Sequence, residues 1–163
     1  MKKGYLLEWT LDPNVMEELC CICNPDLISP SYEKLAYGLV DHENNIFGLF
    51  IKDENENVVV TCVVDLGCTN VCQKLSIDQS MVENYGEITL LCSNPKHRIS
   101  GLASLVLNIV KDISLLIDKK YLLLITSNLN KNQSAVSFYK KNGFITTSIP
   151  DIMVYGPDLE PAN

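Results

Sequence analysis

Residues 94–103, Asn-Pro-Lys-His-Arg-Ile-Ser-Gly-Leu-Ala, form the turn between a predicted strand and the helix that decides the fold. The strand is the apolar segment Glu87–Ser93. In the helix, apolar residues recur at every third or fourth position from Leu102 to Ile117. A second apolar strand, Tyr121–Thr126, follows it. A strand, a helix and a strand in this order predict two parallel strands joined by a right-handed crossover.

The segments on either side predict further strands and helices. Before the turn, these are a strand at Tyr5–Thr10, a helix from Pro13 to about Cys23, a short helix at Ser29–Val40, hairpin strands at Asn45–Ile51 and Val58–Val64, and a long loop at 65–84 with at most part of another strand. After Tyr121–Thr126, they are a helix at Asn132–Asn142 closed by Gly143 and strand segments at Phe144–Ile149 and Ile152–Tyr155. An antiparallel hairpin followed by a parallel unit predicts a mixed sheet covered by helices. The 163 residues fit a single domain, residues 1–163.

The composition is that of a globular chain and excludes several classes of protein. Hydrophobic residues make up 47 % and charged residues 20 %, so the chain is neither collagen-like nor disordered. No apolar run reaches the roughly 18 residues that a membrane span requires. The first residues, Met1–Tyr5, lack the apolar core of a secretory signal. We therefore expect a cytoplasmic protein, or a nuclear one if a chain this small diffuses there, with no membrane partner.

The charge is divided unevenly along the chain. The net charge of −7 argues against nucleic acid as a partner. Residues 1–85 hold 14 acidic and 5 basic residues, a balance of −9, whereas residues 86–163 hold 6 and 8, a balance of +2. The first part suits a cationic ligand and the second an anionic one. Taken alone, the excess of acids favours a margin of solubility.

The cysteines and histidines do not predict a metal site. The two histidines, His42 and His97, lie far along the chain from the Cys20–Cys23 cluster, and we expect no structural zinc site. The seven cysteines are expected to be reduced thiols that pack as small hydrophobic side chains.

The turn at 94–103 has the chemistry of a pyrophosphate-binding loop. The first N–H groups of a helix have no acceptor within the helix, and its dipole adds partial positive charge at that end. Gly101 allows close approach of a ligand, Ala103 keeps the surface small, and Lys96, His97 and Arg98 add cationic groups. The loop is neither a Walker loop nor a G-x-G-x-x-G motif. On its own, this pattern favours an ordinary strand–helix turn.

Two ordered motifs identify a resemblance to a known superfamily. Arg98-x-x-Gly101-x-Ala103 matches the [QR]-x-x-G-x-[GA] signature of the GCN5-related N-acetyltransferases, the GNAT superfamily. Residues 132–144 resemble the family segment that reads N-x-x-A, then Y-x-x-x-G-F. The resemblance implies an α+β, mixed α/β fold: a mostly antiparallel sheet with helices on both faces and a central, splayed parallel strand pair. Ile99 departs from the glycine often found at that position.

The resemblance implies that acetyl-CoA is bound as the acyl-donor cosubstrate and that no metal is needed. The pyrophosphate is expected on the main-chain amides of Arg98, Ile99, Ser100, Gly101, Leu102, Ala103 and Ser104. The pantetheine arm is expected along Leu91, Cys92 and Ser93, where a strand bulge frees main-chain groups, with a further contact from Asn132. The amide of Leu91 is expected to polarise the thioester carbonyl.

The resemblance also implies catalytic roles for two side chains. Tyr139 corresponds to the family's general acid. Glu87 lies fourteen residues before Gly101, the position of the general base in the histone-acetylating branch. Asp65, Glu83 and Tyr85 are the other candidates for the base. Cys92 is the one cysteine to consider as a covalent nucleophile, although direct transfer needs none.

We therefore predict an N-acetyltransferase that moves an acetyl group to a primary amine by direct attack in a ternary complex. The acidic segments 24–45 and 65–85 favour a cationic acceptor such as a polyamine, a small amine, or a lysine or peptide amine. One alternative is a catalytically silent acyl-CoA-binding regulatory module, which Tyr139 argues against. A second is a dimeric interaction protein without a ligand. The chain is expected to be a monomer or a homodimer.

Overall fold

A computed structural model describes residues 4–23, 46–67, 69–126 and 133–159. The described strands are β1 (Tyr5–Thr10), β2 (Ile46–Asp53), β3 (Val58–Asp65), β4 (Tyr85–Ser93), β5 (Tyr121–Ile125), β6 (Ile145–Thr146) and β7 (Ile152–Tyr155). The described helices are α1 (Pro13–Cys23), α2 (Thr69–Lys74), a 3₁₀ helix (Gln79–Asn84), α3 (Leu102–Leu116) and α4 (Gln133–Lys141).

Within these ranges, seven strands form one sheet in the order β1-β2-β3-β4-β5-β7-β6. The β1–β2, β2–β3, β5–β7 and β6–β7 pairs are antiparallel, whereas β4 and β5 are parallel. The first part of β4, Tyr85–Ile88, pairs in parallel register with Tyr121–Leu124 of β5. The predicted fold class, a mostly antiparallel mixed sheet with one parallel pair, is confirmed.

The chain contacts divide into two compact units, residues 1–65 with 90–108, and residues 66–89 with 109–163. We call them the first and the second unit. Strand β4 and helix α3 each contribute residues to both units.

The first unit is built on the β1-β2-β3 meander. The turn between β2 and β3 is held by the Asp53 carboxylate, which accepts hydrogen bonds from the amides of Asn55 and Asn57, both at 2.9 Å. The aspartate therefore forms the local turn that residues 53–57 predict. Helix α1 starts as expected, because the Asp12 carboxylate accepts a bond from the Asn14 amide at 2.9 Å.

One apolar cluster of the first unit, the α1 cluster, packs helix against sheet. It consists of Leu19, Phe50 and Val58, with Val15 and Cys92 packed against it. Burial of large apolar side chains stabilises such a contact by about 1.5–3 kcal/mol for each side chain. Through Cys92, the end of β4 packs against this cluster.

The second unit packs α2 against β5 and β7. Its cluster of buried residues consists of Val71, Cys72, Leu123 and Ile152. Val71 and Cys72 are 2 % and 0 % exposed, although the helix that carries them has only six residues.

Most predicted elements are confirmed, and two are wrong in part. Residues 65–84 are not a long loop, because α2 and the 3₁₀ helix lie within them. Six residues are fewer than two helical turns, so the sequence shows no helical period there. The strand predicted at Phe144–Ile149 is limited to Ile145–Thr146. The helix predicted at Ser29–Val40 lies outside the described residues.

Across the described residues, no helix is both long and apolar enough to span a membrane.

Candidate active site

The loop that joins β4 to α3 is tied to β3 by a single residue, Asn94. Its side chain is 6 % exposed and donates from Nδ2 to the Val58 carbonyl at 2.8 Å, while its amide donates to the Val59 carbonyl at 2.9 Å. Its Oδ1 accepts a bond from the Lys96 amide at 3.0 Å, and its carbonyl accepts one from the His97 amide at 3.1 Å. These four bonds fix where the loop leaves the sheet.

Gly101 gives the loop the backbone conformation that leads into α3. Its φ is +89°, and a Cβ built there meets no heavy atom within 4 Å. The space in front of the glycine is therefore open, and its conformation is one that L side chains rarely adopt. Its carbonyl accepts a bond from the Leu105 amide at 3.0 Å, which is the first turn of α3. The amides of Leu102, Ala103 and Ser104 precede that bond and have no acceptor within the helix.

The side chains of the loop add positive charge at its surface. Lys96 and Arg98 are exposed, and His97 is half-buried. Burial raises the pKa of Asp53, but hydrogen bonds from Asn57 and Asn55 and the charge of His97 bring that pKa below its usual value.

The end of β4 presents Leu91, Cys92 and Ser93, all half-buried. The Cys92 side chain packs against the α1 cluster. Because side chains alternate along a strand, those of Leu91 and Ser93 point to the other face. The role of Cys92 as an alternative nucleophile remains a prediction. The bulge expected in β4 remains a prediction.

Tyr139 lies on α4, four residues before Gly143, the predicted C-cap. The amide of Gly143 donates to the Lys140 carbonyl and the amide of Phe144 donates to the Tyr139 carbonyl, both at 3.0 Å. With a φ of +84° at Gly143, this is a Schellman motif, and it confirms the predicted C-cap.

An aromatic cluster, Phe138, Tyr139, Phe144 and Tyr155, surrounds that turn. The Tyr139 ring stands edge-on to Phe138 at 5.3 Å and to Phe144 at 5.6 Å between centroids. Phe144 is 1 % exposed and lies 5.6 Å from Tyr155. The Tyr139 ring is therefore held from two sides, while the residue as a whole is half-buried.

The candidate bases occupy different places. Glu87 is half-buried in β4, at the register position of Leu123. The Tyr85 ring stacks on Tyr121 at 4.9 Å and packs against the buried cluster of the second unit, so it acts as a packing group. Glu83 is exposed in the 3₁₀ helix, and Asp65 ends β3 in the first unit.

The predicted site residues are divided between the two units. Leu91–Ser93 and Arg98–Ser104 belong to the first unit, and Glu87 and Tyr139 belong to the second. Asn132 lies outside the described residues.

Sequence reasoning missed the structural roles of Asn94 and Lys111. Asn94 was visible only as part of a turn-forming pair, and its acceptor in β3 is 36 residues away. Lys111 donates to the Asn142 carbonyl, 31 residues away. Neither partner could be read from local spacing.

The loop fits the diphosphate of an acylated coenzyme. The observation that decides this is the open space at Gly101, next to helix amides that need acceptors and beside exposed cations. In the described part of the chain, no group of three or more His, Cys, Asp or Glu side chains lies close enough to hold a metal ion.

Comparison with known proteins gives the same fold. A Desulfovibrio desulfuricans protein assigned to the GNAT family of acetyltransferases superposes with a TM-score of 0.66 at 16 % identity. The superposition covers 93 % of the present chain and 97 % of the Desulfovibrio chain. Tetrahymena GCN5 superposes over 96 % of both chains with a TM-score of 0.61 at 16 % identity. A variant of spermidine N-acetyltransferase SpeG from Vibrio cholerae superposes over 93 % of both chains with a TM-score of 0.63 at 15 % identity. No curated protein sequence matches the chain.

These similarities define the fold as that of the GNAT acetyltransferases. The family described as FR47-like protein matches residues 67–149, 83 of the 163 residues. The chain belongs to the FR47-like family, within the GNAT superfamily, and is by class an acyltransferase.

Proposed function

We propose that the protein transfers an acetyl group from acetyl-CoA to a primary amine by direct attack in a ternary complex. The observation that carries the proposal is the start of α3, where Gly101 leaves open space beside amides that lack helical acceptors. Acetyl-CoA supplies the activated acetyl group as a thioester when it is bound.

The loop residues hold the coenzyme through the main chain. The amides of Arg98 to Ser104 donate to the diphosphate, and the dipole of α3 favours its negative charge. Asn94 supports this by tying the loop to β3 through two hydrogen bonds, to the carbonyls of Val58 and Val59, and by accepting two more from the amides of Lys96 and His97 within the loop. The exposed Lys96 and Arg98 add attraction that depends on salt.

The end of β4 acts on the reacting carbonyl. The amide of Leu91 donates to the oxygen on which negative charge develops, and Leu91–Ser93 accompany the pantetheine arm with Asn132. Packing of Cys92 against the α1 cluster supports direct transfer rather than a covalent thioester on the protein.

Tyr139 protonates the sulfur that leaves. A phenol ordinarily has a pKa of about 10, so it keeps its proton at neutral pH and can donate it to a thiolate. The two edge-on ring contacts support this role because they restrict the direction of the phenol.

Glu87 accepts the proton that the amine must lose before it attacks, directly or through a water molecule. Glu87 lies on the same strand as Leu91, four residues before it, which supports it over Asp65 at the end of β3. The packing of Tyr85 against Tyr121 and the exposure of Glu83 make these residues weaker candidates.

The acceptor is a cationic amine. The balance of −9 in residues 1–85 favours a polyamine, a small amine, or a lysine or peptide amine. A spermidine N-acetyltransferase among the similar structures supports the polyamine class.

The test mixes the protein with acetyl-CoA and a panel of polyamines, small amines and lysine peptides, and measures the free thiol released. Amine-dependent release of thiol is the expected result. Calorimetry with acetyl-CoA separates the alternative, because binding without turnover on any amine identifies a silent acyl-CoA-binding module. The absence of both binding and turnover overturns the proposal.

A further inference from the structure

Lys111, on α3, places its ammonium group at the end of α4. The Nζ atom lies 4.3 Å from the ring centroid of Tyr155 and 5.8 Å from that of Phe144. It donates a hydrogen bond to the Asn142 carbonyl at 2.5 Å. All these residues belong to the second unit.

The acceptor of that bond, Asn142, lies between the last residue of α4 and Gly143. Carbonyls at the end of a helix have no donor within the helix, and a cation there is favoured by the helix dipole. The Asn142 amide bonds to the carbonyls of Phe138 and Tyr139, and its Nδ2 donates to the Phe138 carbonyl at 2.8 Å. Lys111 is thus joined, through Asn142, to the turn of helix that carries Tyr139.

A second path runs through the rings. Lys111 lies over Tyr155 and beside Phe144, and the buried Phe144 stands edge-on to Tyr139. Cation–π contacts strengthen as the cation loses water. Lys111 therefore contacts two groups that adjoin Tyr139, one on the main chain and one in the aromatic cluster.

The environment of Lys111 is not that of a solvated surface lysine. Burial lowers its pKa, against a smaller opposing effect from the charge of Asp112. Within the described ranges, its ammonium group forms no ion pair within 4.0 Å. The ammonium group contacts a main-chain carbonyl and the faces of aromatic rings. These contacts hold the side chain in place, but none of them carries a negative charge that would neutralise it.

We propose that Lys111 is a positioning residue that fixes the end of α4 and thereby sets the direction of the Tyr139 phenol. The proposal rests on the proposed function, in which Tyr139 is the general acid. Lys111 acts through Tyr139 and does not exchange a proton itself.

The kinetic test is a double-mutant cycle. Lys111→Met keeps most of the apolar stem but removes the charge and the donor, and Lys111→Arg restores both. We expect Lys111→Met to lower kcat about tenfold with the KM for acetyl-CoA within about twofold, because misplacement affects the transition state more than binding. In the Tyr139→Phe background, Lys111→Met should cause no further loss. An equal loss in both backgrounds overturns the proposal.

A spectroscopic test keeps the inference separate from the proposed function. The ligand-free protein carries 3-fluorotyrosine at position 139, and its ¹⁹F resonance is recorded. We expect one narrow line in the parent and the Lys111→Arg protein, and a shifted, broadened or split line in Lys111→Met. The matched control is Lys140→Met, an exposed lysine in the last turn of α4. An unchanged ¹⁹F line in Lys111→Met overturns the inference, whether or not the protein transfers acetyl groups. If the line changes but the protein shows no turnover, the inference stands and only the proposed function is overturned.

Discussion

In the proposed function, the loop before α3 acts through its main chain, whereas the aromatic cluster at the end of α4 acts through a side chain. The loop offers main-chain amides, and its side chains at Lys96 and Arg98 are exposed. The group that the proposal uses in the cluster is the phenol of Tyr139, which is held by Phe138 and Phe144. Main-chain chemistry tolerates changes of side chain that leave the backbone path intact. Side-chain chemistry does not tolerate the loss of a single atom.

The sharpest test of this contrast is Tyr139→Phe. It removes one hydroxyl, so we expect kcat to fall on the order of 10²-fold while the Kd for acetyl-CoA stays within about twofold. Initial rates and calorimetry measure the two quantities. Tyr121→Phe, which removes a hydroxyl bonded to the exposed Asp158, is the matched control and should retain activity. Comparable losses of kcat in the two variants would contradict the role of Tyr139.

Asn94→Ala breaks the attachment of the loop. It leaves the Val58 carbonyl and the Lys96 amide without their partner, which destabilises the fold by about 1–3 kcal/mol. We expect a lower Tm in thermal denaturation and a weaker Kd for acetyl-CoA. Asn108→Ala, at an exposed position of α3, should change neither. A full-strength Kd in Asn94→Ala would show that the loop holds its shape without this anchor.

Gly101→Ala tests the backbone conformation. A side chain at a φ of +89° costs about 1–2 kcal/mol, so we expect the Kd for acetyl-CoA to rise about tenfold as the loop relaxes. The open space means that the effect comes from the backbone and not from a clash. Gly4→Ala, where no heavy atom lies within 4 Å, is the control for a glycine without positive φ. Unaltered binding in Gly101→Ala would argue that the loop does not hold the coenzyme.

Arg98→Ala should have the smallest effect. Its side chain is exposed, and we expect the Kd for acetyl-CoA to rise only about two- to threefold at low salt and less as salt is added. Calorimetry at two salt concentrations measures this. A loss larger than that of Gly101→Ala would mean that the side chain, and not the main chain, carries the binding.

The sequence was sufficient where the determinants are local. The long helix followed from apolar residues spaced by three and four, and the end of α4 followed from Gly143, whose φ of +84° is supplied by glycine at little cost. The β2–β3 hairpin followed from two apolar strands around a polar turn. In each case, the deciding residues lie within a few positions of the feature.

The sequence was insufficient where distant residues meet. The bond between Asn94 and Val58 spans 36 positions, and that between Lys111 and Asn142 spans 31. Helix α2 is stabilised by the packing of Val71 and Cys72 with Leu123 and Ile152, contacts that no local period reveals. A register shift in β2 between Ile51 and Lys52 was also not predicted. Folding together of separate segments, rather than local preference, decides these features.

The hydrogen bond from the Phe144 amide to the Tyr139 carbonyl joins the proposed general acid to the place where the helix ends. An inserted or deleted residue between them would break both the cap and the contact between the two rings. Evolution can therefore exchange the phenol for another side chain in one step, which would silence the chemistry and leave the fold intact. Moving it along the chain would require rebuilding the whole turn, so descendants of this sequence are expected to lose the group far more readily than to relocate it.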